Sequence, residues 1–180
     1  MTTLESLFVT LARNNHWSNY RLYSACRLLP DNEYFAQRAA FFGSIHATLN
    51  HILIVDLVYL GRLEGKDRVS SDCHELHADL ISLEDRQLEV GRELIEYCSN
   101  QNAASLGACI SYCRSTGQAY SETVARILLH LFMHQIHHRG QVHDMLSQTS
   151  VSPPQLDEFF LGGDLSLRTR ELADLGLPLE

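Results

Sequence analysis

Apolar side chains recur at three- and four-residue intervals along four long stretches of this chain, and any fold it adopts must bury those stripes. Residues 4–29 carry Leu4, Leu7, Phe8, Leu11, Trp17, Leu22 and Cys26 on the period, until Pro30-Asp31 stops it. Residues 34–63 follow with Phe41, Ile45, Leu49, Ile52, Val55 and Tyr59, and Gly65 stands just past the end as a C-cap. Residues 76–97 make a more polar helix with Leu80, Leu83, Leu88, Leu94 and Ile95 turned inward. Residues 121–147, with Ser121 as N-cap, present Val124, Ile127, Leu128, Leu131 and Phe132. Between the third and fourth stretches, residues 100–118 are broken by Gly107 and Gly117 and alternate weakly around Ile110 and Tyr112, so a short hairpin or irregular crossover is expected. Four long helices, one long connection and no convincing sheet predict an all-α four-helix bundle with a long crossover between helices three and four.

At 180 residues the chain is expected to form a single domain, 1–180. Pro153-Pro154 end any helix, and Leu156, Phe159 and Phe160 are costly to leave in water. Residues 155–180 are therefore expected to pack as a tail, on the bundle or on a second subunit, and that surplus of apolar surface predicts a homodimer. A net charge of −8, with no basic stripe interleaved with aromatics, argues against nucleic acid as a partner. The richest apolar run, residues 49–60, includes Asn50, His51 and Asp56 and falls short of the roughly 20 residues that span a bilayer, so no membrane is expected. The N-terminus carries Glu5 early and no basic n-region, which reads as a cytoplasmic protein. Its five cysteines, Cys26, Cys73, Cys98, Cys109 and Cys113, lack CxxC spacing and are expected to be reduced. Cys109 and Cys113 read as buried thiols, and Cys73-His74-Glu75-Leu76-His77 as an exposed helix start.

Histidine placement is the feature that rises above composition. Of ten histidines, five (His130, His134, His137, His138 and His143) lie within residues 130–143. On a helical wheel His130, His134, His137, His138 and Gln141 share an arc of about 100°, with His143 opposite. His134 with His138, and His130 with His134, are i,i+4 pairs, the spacing at which two imidazoles reach one divalent ion. Gln135 follows His134, so the stretch is not HExxH and lacks the general base of a zincin peptidase. Two ligands from one helix hold a metal weakly; His51, on the same face as Ser44, Ala47, Ile54, Val55 and Val58, is the best third candidate. His46, about 140° away on that wheel, is not expected to join it. The competing reading makes His51 a satisfied core histidine and leaves Trp17 and Tyr20 as plain packing.

At these residues the chain resembles the DinB family of damage-inducible proteins, which is unrelated to the error-prone DNA polymerase of the same name. The stretch His130-Leu-Phe-Met-His134-Gln-Ile-His137-His138-Arg139-Gly140-Gln141-Val142 is similar to that family's HxxxHxxHHRGQ signature. Ser44 to Asp56 resembles its helix-two block, Asn15-His16-Trp17-Ser18-Asn19-Tyr20 its first-helix segment, and Pro153-Pro154-Gln155-Leu156-Asp157 its usual ending. The resemblance implies a four-helix bundle with a right-handed long crossover, a frequent homodimer, and a metal triad that maps onto His51, His134 and His138. It also implies kinship with thiol S-transferases and a mycothiol-dependent isomerase.

The expected function is thus a metal-dependent enzyme in which three neutral imidazoles leave a divalent ion, zinc or nickel, with open positions for a thiol or water. A low-molecular-weight thiol is the expected cosubstrate, with thiol transfer or hydrolysis as the reaction. Asn15, His130, His137 and Gln141 are candidates for pocket or supporting roles around the ligands. The alternative is a non-catalytic metal-binding stress-response module, in which the ion only ties helix two to helix four.

Overall fold

Local capping chemistry sets most element boundaries in the computed structural model, which describes residues 3–66, 68–70, 73–113 and 117–179. Helix α1 (Leu4–Cys26) starts on a capping box in which Thr3 and Ser6 serve each other's backbone N–H groups, and it ends three residues short of the expected 29, before Pro30. A single turn, α2 (Asp31–Tyr34), follows. The second long helix, α3 (Ile45–Glu64), begins eleven residues later than its apolar period suggests, because Gly43 takes a left-handed φ of 79° and Ser44 caps the helix by accepting from the Ala47 N–H at 3.1 Å. Phe41, expected in its apolar row, lies outside the helix and is 83% exposed. Gly65 ends α3 in the left-handed conformation, as expected.

Helix α4 (Leu80–Ser99) is capped by Asp79, so Cys73 to His77 precede the helix and do not start it. Asn50 instead holds that segment, its side-chain oxygen accepting from the backbone N–H groups of Leu76 and His77 at 2.9 and 3.1 Å. A short α5 (Ala103–Gly107) leads into the antiparallel strands β1 (Cys109–Cys113) and β2 (Ala119–Thr123), paired from Cys109 with Thr123 to Cys113 with Ala119. The expected hairpin is thus present, although residues 114–116 lie outside the described residues. Cys109 and Cys113 are not buried: both project from the exposed face of β1. Ser121 belongs to β2, and Thr123 caps the last long helix, α6 (Val124–Leu146).

The contacts fix the directions of the four long helices. Phe8 stacks on Phe132 and Asn15 bonds Arg139, so α1 and α6 run parallel. Tyr59 meets His130 while His51 meets His138, so α3 runs against α6. Arg27 pairs with Glu84 and His16 lies against Gly91, so α4 runs against α1. Asp56 to Gln87 and Leu63 to Tyr97 make α3 and α4 parallel, so the crossover joins the second and third long helices, where the sequence pattern predicts it between the third and fourth. Leu22, Tyr23, Leu49, Leu53, Leu83, Leu94, Leu128 and Leu131 fill the center and are excluded from solvent.

The tail packs back on its own chain. Beyond a 3₁₀ turn at Gly162–Asp164, an unforeseen α7 (Leu165–Asp174) lays Leu172 against Trp17, and Phe159 covers the same indole at 5.5 Å. Glu171 accepts from Trp17 Nε1 at 2.7 Å and from Arg21 at 2.9 Å. Among the described residues no helix is long and apolar enough to cross a membrane.

Candidate metal centre

Helix α6 carries two polar rows offset by one residue, hence by about 100°. His134 and His138 face α3. Gln135 and Arg139 face the interior, where both are buried. There the Gln135 amide donates to Asp56, which also accepts from Gln87 at 2.8 Å, and Arg139 donates to Asn15, to Asn19 at 3.2 Å and to Gln135 Oε1 at 3.1 Å. Burial pushes the Asp56 carboxyl up to about 6 against those hydrogen bonds and the charge of Arg139, to which Gln135 links it.

On the other row the imidazoles of His51, His134 and His138 converge, with one ring nitrogen of each within 4.8 Å of the others. His51 Nε2 and His134 Nε2 face one another at 3.0 Å. Burial first, then the neighbouring His138, lowers His51 to about 4; burial, followed by His138 and His51, lowers His134 to about 3. Burial also lowers His138, against the opposing hydrogen bond from Gln141. All three rings are therefore neutral at pH 7 and present lone pairs, the form that ligates a metal.

The donor set fits a divalent cation. Two neutral imidazoles can share at most one hydrogen across the 3.0 Å contact, whereas a cation between them satisfies every converging nitrogen at once. His138 Nδ1 donates to Gln141 Oε1 at 2.8 Å, which fixes the tautomer that leaves Nε2 free. The Phe42 ring stacks on His51 at 4.1 Å and leans on His138 at 5.4 Å, closing one side of the cluster.

Of the supporting residues expected from sequence, Gln141 touches the triad directly and His137 packs on His138 with ring centroids 4.7 Å apart. His130 is exposed one turn away, its ring 6.3 Å from that of His134 and 5.0 Å from that of Tyr59. Asn15 is not at the site: it lies in the interior row with Arg139, because α1 borders α6 on the face turned from α3. His46 is buried but apart, bonded to the Tyr34 hydroxyl at 3.1 Å and to Glu75 at 2.9 Å. His51 lies on the half-buried flank of α3, while the fully buried row of that helix runs through Leu49, Leu53 and Leu60. Sequence reasoning missed Phe42, although Gly43-Ser44 is a readable helix start that would have placed it in the loop above the site.

A helical bundle with three imidazoles gathered from two antiparallel helices defines a class of candidate metal-binding proteins. This chain belongs to the DinB family, whose sequence model matches residues 1–162. Protein DinB of Bacillus subtilis (strain 168) is 25% identical over 150 residues, covering 79% of this chain and 86% of that protein. The crystal structure of a DinB-like protein from Bacillus cereus ATCC 10987 superposes with a TM-score of 0.60 at 18% identity, covering 77% of this chain and 90% of that one, and supports the fold alone. Helix α7 lies beyond the family match.

Proposed function

We propose that this protein binds one divalent metal ion, zinc or nickel, through His51, His134 and His138, and that it is a metal-dependent enzyme acting on a low-molecular-weight thiol or on water. The convergence of three neutral imidazoles in a half-buried groove carries this reading. Bound there, a divalent ion supplies a Lewis acid that acidifies a thiol or water at neutral pH. The chain's own groups prepare the position: Gln141 holds the His138 ring by its Nδ1–H, and Phe42 keeps solvent from one side. His130 and His137 border the triad. Among the described residues no fourth metal-ligating side chain joins the triad, which favours an open site over one closed for structure.

The test is metal analysis of protein purified without an affinity tag, paired with a thiol-conjugation screen. One ion per chain in the native protein, and none after His138→Ala, supports the site; stoichiometric metal in the triple alanine variant removes it. Full metal loading without thiol-transfer or hydrolytic activity would favour the stress-response module, in which the ion ties α3 to α6.

Pairing with a second copy belongs to the same reading. Leu4 and Leu7 of α1 and Leu129, Met133 and Ile136 of α6 are exposed on two neighbouring parallel helices. In the tail Phe159 is buried on its own Trp17, whereas Phe160 and Leu161 stay exposed. Sedimentation at micromolar concentration should show a dimer that Met133→Glu dissociates; a monomeric native protein excludes it.

A further inference from the structure

We infer that the cavity between the hairpin and α6 is a carboxylate subsite, which holds the anionic end of an elongated ligand whose head group lies at the histidine triad. The inference rests on the metal-centre reading and adds the ligand's charge and length. The cavity is about 170 Å³, lined by Tyr59, Tyr112, Glu122, Arg126, Ile127 and His130. Pockets for whole drug-sized ligands measure roughly 300–1,000 Å³, so this one suits one end of a molecule. His130 joins it to the triad: its ring packs on Tyr59 in the cavity wall and stands next to His134. On the opposite side Phe42 covers His51 and His138, so His130 is the side chain that stands between the triad and the cavity.

The charge here runs against the rest of the chain. In a molecule of net charge −8, one guanidinium lines this cavity and a second lies over the tyrosine rings of its wall. Arg126 lines it, and Arg62 lies over the rings of Tyr59 and Tyr112, at 4.8 and 4.3 Å. Glu122 is the single carboxylate in the wall and pairs with Arg126 at 3.2 Å. Arg62 has no carboxylate partner among the described residues. Two cations against one anion leave a net positive site suited to a carboxylate, and the tyrosine rings and Ile127 suit an aliphatic shaft. Arg126 and His134 are eight residues apart on α6, about 12 Å along its axis. That separation is the ligand length the groove measures.

Two measurements test this separately from the metal. In metal-free protein, saturation-transfer NMR should show hexanoate binding at least tenfold more tightly than hexanol. Arg126→Gln should abolish that preference and Glu122→Gln should enlarge it, whereas a merely structural role for the pair would move both variants the same way. In Co(II)-loaded protein, the thiolate-to-cobalt absorption band should saturate with mercaptohexanoate at a concentration at least tenfold lower than with the shorter mercaptopropionate. Equal binding of hexanoate and hexanol, or a preference untouched in Arg126→Gln, overturns the subsite. Equal saturation by the two thiols overturns the length. Failure of Co(II) to bind, with the hexanoate preference intact, leaves the carboxylate subsite standing and refutes the metal centre instead.

Discussion

The two polar rows of α6 make opposite use of buried polar atoms. On the interior row, Gln135 and Arg139 donate to Asp56, Asn15 and Asn19 and tie four helices together, although Asn15 Nδ2, Asn19 Nδ2, Asp56 Oδ1 and Gln87 Oε1 have no hydrogen-bond partner among the described residues. On the triad row, His51 and His134 turn ring nitrogens toward each other at 3.0 Å, and His134 Nδ1 has no hydrogen-bond partner among the described residues. What separates the rows is convergence: the interior side chains are tied to one another from four helices, whereas the triad nitrogens gather at one point that a single ion could fill. One helix thus carries both roles because a shift of a single residue rotates a side chain from the core to the groove.

If this division holds, substitutions on the interior row damage the fold and those on the triad row spare it. The largest effect is expected for Asp56→Ala, which removes the acceptor shared by Gln87 and Gln135 and the carboxylate whose field acts on the buried Arg139, and should cost about 3–5 kcal/mol in urea denaturation. Adding Arg139→Met should recover part of that loss; no recovery would show that the two charges are not coupled.

Next comes a pH signature from His16, which is buried against Gly91 and whose ring nitrogens lack partners among the described residues. Burial, and then the charge of Arg92, lowers it to about 4 from 6.5. The unfolded chain therefore binds the proton first, so this contribution is present above pH 6.5 and is lost as pH falls toward 4, amounting to roughly 3 kcal/mol at most. Asp56, with its carboxyl raised to about 6, acts in the opposite sense, favouring the fold at low pH and losing that contribution as pH rises through 6. His16→Gln in chemical denaturation from pH 4 to 7 should lower the rise of stability with pH; an unchanged slope would remove His16 as its source.

Gly91→Ala probes the same packing. A methyl group there would overlap the His16 imidazole and should cost about 1–3 kcal/mol, with His16→Gly/Gly91→Ala less than additive in a double-mutant cycle. The smallest effect is expected for His138→Ala in metal-free protein, whose stability should change by less than about 1 kcal/mol even though metal uptake is lost. A destabilisation as large as that of Asp56→Ala would dissolve the distinction between the rows.

The helical period and the His134/His138 pair were legible because both repeat along one chain. Partners that come from different helices were not. Nothing on the wheel of α1 announces that Asn15 serves Arg139 instead of the triad, since that depends on which neighbour α1 packs against. The late start of α3 was missed because Phe41 keeps the apolar period going through a loop, while Gly43 and Ser44 override it by backbone conformation and capping. The exposure of Cys109 and Cys113 followed from the same cause: an i,i+4 spacing that would share a helix face instead lies on a two-stranded ribbon, where alternate residues face water.

The chain's one tryptophan, Trp17, sits sealed between α1 and the C-terminal segment, on Phe159 and Leu172 and hydrogen-bonded to Glu171. Its fluorescence is therefore a built-in reporter of whether that segment is docked. A red shift of the emission before the main unfolding transition would mean that the clamp opens as a separate event, and truncation after Asp157 should produce the same shift without denaturant.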